Sequence, residues 1–234
     1  PFANIFIPQN EDDLFPRDFI INIPAPTNYI GPEKVFGTSI IPDDTNSDLL
    51  PIIYPIKDYD FFVPQGHKKD DDKPKFEDIP ESLRIAVKCF IVTCAIRIAR
   101  GQGTRHNSML IHVSRFQMWQ THIKELVENL FNYYKHEIEA SDTAIYEEFR
   151  KILEDDTANY KSYKTITNEI KESKFSDIDK NLSVHSWEEI KPQLFKAVQK
   201  IEVKSINGTS GDCLTYYENE KNGINEKYLT MLTR

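Results

Sequence analysis

PESLRIAVKCFIVTCAIRIARG, residues 80–101, is the stretch that decides the fold. It has an acid at its start, arginines in its last turn and Gly101 just beyond, which together predict a helix that ends at this glycine. Its apolar side chains occupy nearly the whole helical circumference. A helix that is apolar all round is buried, so we expect this segment to lie at the centre of the protein.

The segments that follow predict strands alternating with helices. SMLIHVSRF at 108–116 contains a short apolar run typical of a buried strand, and apolar residues three and four apart over 116–134 predict a second helix. Further helical pattern covers 141–180, Ser186 and Glu189 have the form of a capping box, and 200–206 alternates as a strand does. A last strand or helix is predicted at 228–232. This order favours an α/β fold with a parallel sheet and flanking helices.

Composition predicts how the chain is organised along its length. Residues 1–56 hold most of the thirteen prolines and are expected to form an extended segment that packs on the core. Residues 57–80, which include KKDDDKPK, are expected to form an exposed charged loop. Residues 81–234 form the predicted body of helix, strand and helix, with a polar helical insertion at about 141–180.

Hydropathy and cysteine usage argue against several classes of protein. No apolar stretch approaches the ~18 residues of a membrane span, and no signal peptide is recognised, which favours a cytoplasmic protein with no membrane partner. The three cysteines lack a C-x-x-C spacing and are expected to be buried thiols rather than zinc ligands.

The net charge is −8, yet residues 82–124 contain no acid and seven basic residues. Such a one-signed window is typical of a surface that meets phosphate.

The end of the predicted strand is the best candidate site. Ser114 and Arg115 follow this strand and precede a helix, where helix N–H groups and a guanidinium could receive phosphate together. Arg105 is a further candidate for contact with nucleic acid. The alternative interpretation makes Ser114 an N-cap and Arg115 a surface charge. His112, within the strand, is expected to be a core histidine.

Motifs for self-contained catalysis are scarce. The chain has no P-loop, no G-x-S-x-G elbow, no H-E-x-x-H and no EF-hand loop, so an ATPase or metalloprotease complete in this chain is not expected. Glu202-Val203-Lys204 has the acid-x-lysine form of metal-dependent nucleases. The same form recurs at three other glutamates in predicted helices, so Glu202 and Lys204 are weak catalytic candidates, and no metal ligands are predicted.

Several separated blocks of this sequence resemble one known family. PFANIFI at 1–7, EDDLFPRDFI at 11–20, LRIAVKCFIVTCAIRIARGQ at 83–102 and HNSMLIHVSRF at 106–116 resemble the Z-one domain of bacterial proteins described as endonucleases. In that family the domain follows a helicase-like ATPase region of superfamily two, and PFAN resembles the end of the third helicase motif. The resemblance implies that 109–115 matches the first strand of a second RecA-like lobe, so that the chain is part of such a lobe.

The resemblance also implies a function. The chain would be a fragment of a helicase-like, endonuclease-associated bacterial protein of restriction or defence, engaging the DNA backbone and coupled to an ATPase region outside this chain. Its partners would be DNA, the N-terminal ATPase lobe and a C-terminal region of the same polypeptide. ATP and Mg²⁺ would serve the parent protein, with no cofactor in this fragment, which we expect to be inactive alone. Two alternatives stay open: a metal-dependent DNA endonuclease domain, or a non-catalytic scaffold that binds a partner through the acidic helical insertion.

Overall fold

Six α-helices and three short β-strands make up the part of the chain that the structure, a computed structural model, describes. That part comprises residues 29–36 and 50–206 and the backbone of 227–232. The helices are α1 (Pro32–Phe36), α2 (Glu81–Ala99), α3 (Gln117–Glu139), α4 (Thr143–Glu154), α5 (Tyr163–Glu172) and α6 (Trp187–Val198). The strands are β1 (Asn107–Ile111), β2 (Ile201–Ile206) and β3 (Lys227–Leu232), and Phe76–Asp78 forms one turn of 3₁₀ helix.

The central helix α2 confirms the prediction made from residues 80–101. Eight of the ten residues from Val87 to Ile96 are buried, because almost every side chain there is apolar. It ends as predicted at Gly101, whose φ of +72° lies in the left-handed region. The N–H of Gly101 donates to Ile98 O at 3.0 Å and that of Gln102 to Arg97 O at 2.7 Å, which is the Schellman arrangement.

The other helices begin at residues that satisfy their first N–H groups. Asp142 accepts from Ile145 N at 2.9 Å to start α4, and Ser162 accepts from Thr165 N at 3.2 Å to start α5. The capping box predicted at the start of α6 is confirmed, since Ser186 N donates to the Glu189 carboxylate at 2.9 Å.

The core is built by helix packing. Helix α2 packs against α6 and α4, and α3 packs against α6, α4 and β2. Buried side chains of α3 follow the spacing of three and four that the sequence shows, including Ile123, Val127 and Leu130. Helix α4, within the predicted insertion, adds Phe149 and Leu153 to the same core, both fully buried.

The three strands lie side by side in the order β1-β3-β2. Both outer strands run parallel to β3, with Met109 and Val203 opposite Leu229. Each strand has only five or six residues.

The prediction of an α/β fold containing part of a RecA-like lobe is wrong. About half of the described residues are helical and far fewer lie in strands, so the molecule is mostly helical. The physical reason is that α2 is covered by other helices and not by a sheet. The outer strands also alternate between buried and exposed residues, whereas strands enclosed by helices on both faces are apolar throughout.

Candidate nucleic-acid interface

Ser114 and Arg115 lie in the short connection between β1 and α3. The Ser114 hydroxyl accepts the N–H of Phe116 at 3.1 Å, which bends the chain into the helix. Helix α3 begins two residues after Arg115 and has no acidic residue in its first turn. The positive end of a 23-residue helix therefore faces this connection without a carboxylate to neutralise it.

His67 holds the Ser114 hydroxyl from a loop 47 residues upstream. Its Nε2 is 2.7 Å from Ser114 Oγ, and its Nδ1 is 3.0 Å from the Pro64 carbonyl oxygen. A carbonyl can only accept, so Nδ1 carries the hydrogen and donates it to Pro64. In the neutral ring Nε2 is then the acceptor, and Ser114 donates its hydroxyl hydrogen to His67.

Aromatic contacts keep His67 in this position. Its ring lies 4.5 Å from the Trp119 ring and 5.5 Å edge-on from Phe116, measured between centroids. Trp119 is buried and donates its indole N–H to the Lys68 carbonyl at 2.9 Å. Trp119 of α3 and Phe116, the residue before this helix, therefore hold the segment 64–68 against the start of α3.

Gln120 completes the polar group beneath Ser114. Its amide Nε2 donates to the Ser114 carbonyl at 2.5 Å, and the side chain is only 2% exposed. Its Oε1 is buried with no hydrogen-bond partner among the described residues. The Ser114 main chain is therefore fixed from below as well as through its hydroxyl.

A depression of about 330 Å³ opens beside these groups. Its lining residues are Gly66, His67 and 112–116, so it contains Ser114 and Arg115 and no acid. Arg115 is exposed and its guanidinium lies 4.9 Å from the centre of the Phe116 ring. His112 lines the depression too and is exposed, so the prediction of a core histidine is wrong. The arrangement suits a small anionic group bound at the surface.

Arg105 does not join this group. It precedes β1, whereas Ser114 and Arg115 follow that strand, so the two ends are separated by the strand's length of roughly 16 Å. Arg105 is exposed there. Of the three predicted phosphate contacts the structure brings two together.

Five of the seven basic residues in the acid-free window have partners within the protein. Lys88, Arg100 and Lys124 form ion pairs, while Arg84 and Arg97 donate to main-chain carbonyls. The window is therefore not one continuous basic surface. Its exposed basic residues are Arg105 and Arg115.

Glu202 and Lys204 lie on one face of β2. Lys204 Nζ is 3.1 Å from Glu202 Oε2, and the glutamate side chain is 54% exposed. Nowhere in residues 29–36 and 50–206 do three histidine, cysteine or acidic side chains come together as metal ligands would. The nuclease role of this pair stays a prediction.

His67 and Gln120 are the residues of this site that the sequence reasoning missed. His67 lies in a polar stretch with no motif spacing, and only the fold brings it to Ser114. Gln120 could have been noticed from the sequence, because it is a polar residue one turn after Phe116 on the predicted buried face of α3.

Comparison with known proteins gives a family but no individual relative. The family model of the Z1 domain matches residues 82–227, well over half of the chain. No curated protein and no solved structure matches the sequence. Among the described helices none has the length and apolar content needed to cross a membrane. The matched residues include all of α2 after its first residue, the β1–α3 connection and the first residue of β3, and the chain belongs to the Z1 domain family.

Proposed function

We propose that this chain is the DNA-engaging part of a larger bacterial protein that is helicase-like and endonuclease-associated. It would bind the DNA phosphate backbone in the depression at the β1–α3 connection and couple to an ATPase region outside the chain, where ATP and Mg²⁺ would bind. A cytoplasmic role in restriction or defence is part of the proposal. A Z1 domain is compatible with a domain of a larger protein, and this supports the proposal that the chain is part of one.

The observation that carries the proposal is the position of Arg115. It is exposed at the N-terminal end of α3 and lies next to Ser114, and the lining of the depression contains no acid. A phosphodiester would there meet a guanidinium and the unsatisfied N–H groups of the first helical turn. Such contacts position DNA without reading its bases.

Coupling to another region would pass through α3. The helix begins at the depression and packs against β2, α4 and α6 further along. A shift of α3 along its axis would therefore move the phosphate site relative to the core. This connection supports the idea that the site responds to a distant nucleotide.

The test measures fluorescence anisotropy of labelled single- and double-stranded DNA with the purified chain. We expect binding that weakens severalfold or more between about 50 and 200 mM salt, as phosphate contacts require. Arg115→Ala should weaken it roughly tenfold at the lower salt and flatten the salt dependence, because a charge-assisted contact is lost.

Lys196→Ala is the matched control. Lys196 is exposed on α6, and its loss removes the same unit of charge from a different helix. If both variants weaken binding equally, only net charge matters and Arg115 is not part of a site. No binding at the lower salt would refute the proposal for this chain.

A further inference from the structure

We propose that His67 is a positioning residue of this phosphate site, and that phosphate binding there is linked to uptake of a proton by His67. The inference rests on the proposed function and adds a regulation of the same site. It follows from the hydrogen bonds of a single oxygen atom, Ser114 Oγ.

While His67 is neutral, the Ser114 hydroxyl has no free hydrogen to donate to a phosphate. A serine hydroxyl has one hydrogen to donate and two lone pairs that accept. The hydrogen is directed to His67 Nε2 at 2.7 Å, and one lone pair accepts Phe116 N–H at 3.1 Å. The remaining lone pair would repel an anion.

Protonation of His67 reverses the direction of this hydrogen bond. Nδ1 continues to donate to the Pro64 carbonyl, and Nε2 now carries a hydrogen that it donates to Ser114 Oγ. Both lone pairs of the hydroxyl are then accepting, from His67 and Phe116. The hydroxyl hydrogen is released and can point into the depression that Ser114 lines, where it can donate to a phosphate oxygen.

The surroundings let His67 respond in this way without moving. The ring is held between Phe116 and Trp119 and keeps its Pro64 contact in either state, so only hydrogen positions change. Two charged or titratable side chains line the depression with His67, namely His112 and Arg115, and neither is an acid. The loop that follows His67 holds three lysines and three aspartates over residues 68–73, so its charges balance. A bound phosphate would offset the repulsion between Arg115 and an imidazolium, so anion and proton should favour each other.

The experiment measures the affinity of the full chain for labelled oligo(dT) from about pH 5.5 to 8, the range in which histidines exchange protons. Phosphodiesters keep their charge throughout, so any pH dependence belongs to the protein. We expect wild-type affinity to fall roughly tenfold as the pH rises from about 5.5 to 8. A roughly tenfold change corresponds to the loss of about one hydrogen bond to a charged group. His67→Gln and Ser114→Ala should each largely abolish this dependence.

His112→Gln is the matched control. His112 lines the same depression, but the ring nitrogen that lies 2.7 Å from Ser114 Oγ belongs to His67. It should keep most of the pH dependence. If Ser114→Ala retains the wild-type profile while His67→Gln loses it, the effect is one of charge alone and the hydroxyl mechanism is overturned. Parallel profiles for wild type and both variants also overturn it.

The outcome separates this inference from the proposed function. Binding that depends on Arg115 but shows parallel pH profiles removes only the role of His67. Binding that ignores Arg115→Ala, or no binding at any pH, removes the phosphate site itself. Should His67→Gln fail to fold, Ser114→Ala carries the test, since it deletes one oxygen and leaves the ring in place.

Discussion

Asp58 stabilises the start of α2 from a loop 24 residues upstream. Its Oδ2 accepts Ser82 N–H at 2.9 Å, in place of the cap that Pro80 cannot supply. Burial opposes ionisation of this carboxyl, but the hydrogen bonds from Ser82 outweigh it and lower its pKa below the ordinary value. The negative charge also complements the positive end of α2.

Asp58→Ala should therefore lower the free energy of unfolding by about 1 kcal/mol at neutral pH. Because the pKa is lower in the folded state than in the unfolded chain, this stabilisation is complete above the unfolded pKa of about 4 and is lost as the pH falls through the folded value. The difference between wild type and variant in urea unfolding should thus shrink in acid.

Asp60→Ala provides the comparison, as Asp60 is an exposed acid two residues along the same loop. It should change stability little at either pH. Equal losses for the two variants, or a loss for Asp58→Ala that stays constant into acid, would contradict the role given to this carboxyl.

Residue identities within the site were only partly predictable. Ser114 and Arg115 stood out because they follow an apolar run and precede a helical pattern, and both signals are local. His67 could not be found in this way, since its partner is 47 residues away and no spacing rule connects them. Arg105 looked equivalent to Arg115 in sequence, and only the direction of β1 places them apart.

At the scale of elements, the end of α2 depends on one glycine. Gly101 adopts φ +72°, and a Cβ built there would meet no atom within 4 Å, so its requirement is conformational and not steric. Gly101→Ala should lower the free energy of unfolding by about 1 kcal/mol. Urea unfolding monitored by circular dichroism measures it.

Gly103→Ala is the control for this prediction. Gly103 lies two residues further and is not among the described glycines with positive φ. An alanine there should be neutral or slightly stabilising, since it restricts the unfolded chain. A loss at Gly103 equal to that at Gly101 would mean that the left-handed turn is not what stabilises the helix end.

Two boundaries that local residues mark were well predicted, whereas β1 lies two residues before the apolar run 109–113 and the assembly of the elements was not predicted. The start of α6 and the end of α2 are marked by residues that act over three or four positions, so the sequence alone located them. The alternation of helices and strands was then taken to indicate an α/β sheet. The alternating burial within β1 and β2 points instead to small outer strands with a solvent-facing side, on a body that is mostly helical.

At the scale of the whole molecule, α4 is part of the core. Phe149 is fully buried against Tyr134 of α3, with ring centroids 5.9 Å apart, and buried Lys88 of α2 pairs with Glu148 at 3.0 Å. Removing residues 141–180 would expose these surfaces and leave a lysine without its closer carboxylate. A test of partner binding by that deletion would therefore report unfolding.

Phe149→Ala should lower the free energy of unfolding by about 3–5 kcal/mol, the usual cost of deleting a buried aromatic ring. Phe195→Ala, on an aromatic side chain of α6 that is 49% exposed, should cost far less. Urea unfolding of both variants decides this. Similar small losses would mean that 141–180 is peripheral, as the polar sequence suggested.

The buried indole beside the proposed phosphate site also gives the protein a fluorescent reporter of its own. The chain has two tryptophans, and Trp119 is the one whose ring lies 4.5 Å from the His67 ring, while Trp187 lies on α6 near Tyr146. A charged imidazolium quenches the fluorescence of an adjacent indole, by accepting an electron from its excited state, far better than a neutral ring does. In a Trp187→Phe background the emission intensity should consequently follow events in the depression, so that occupancy could be read without any dye on the nucleic acid.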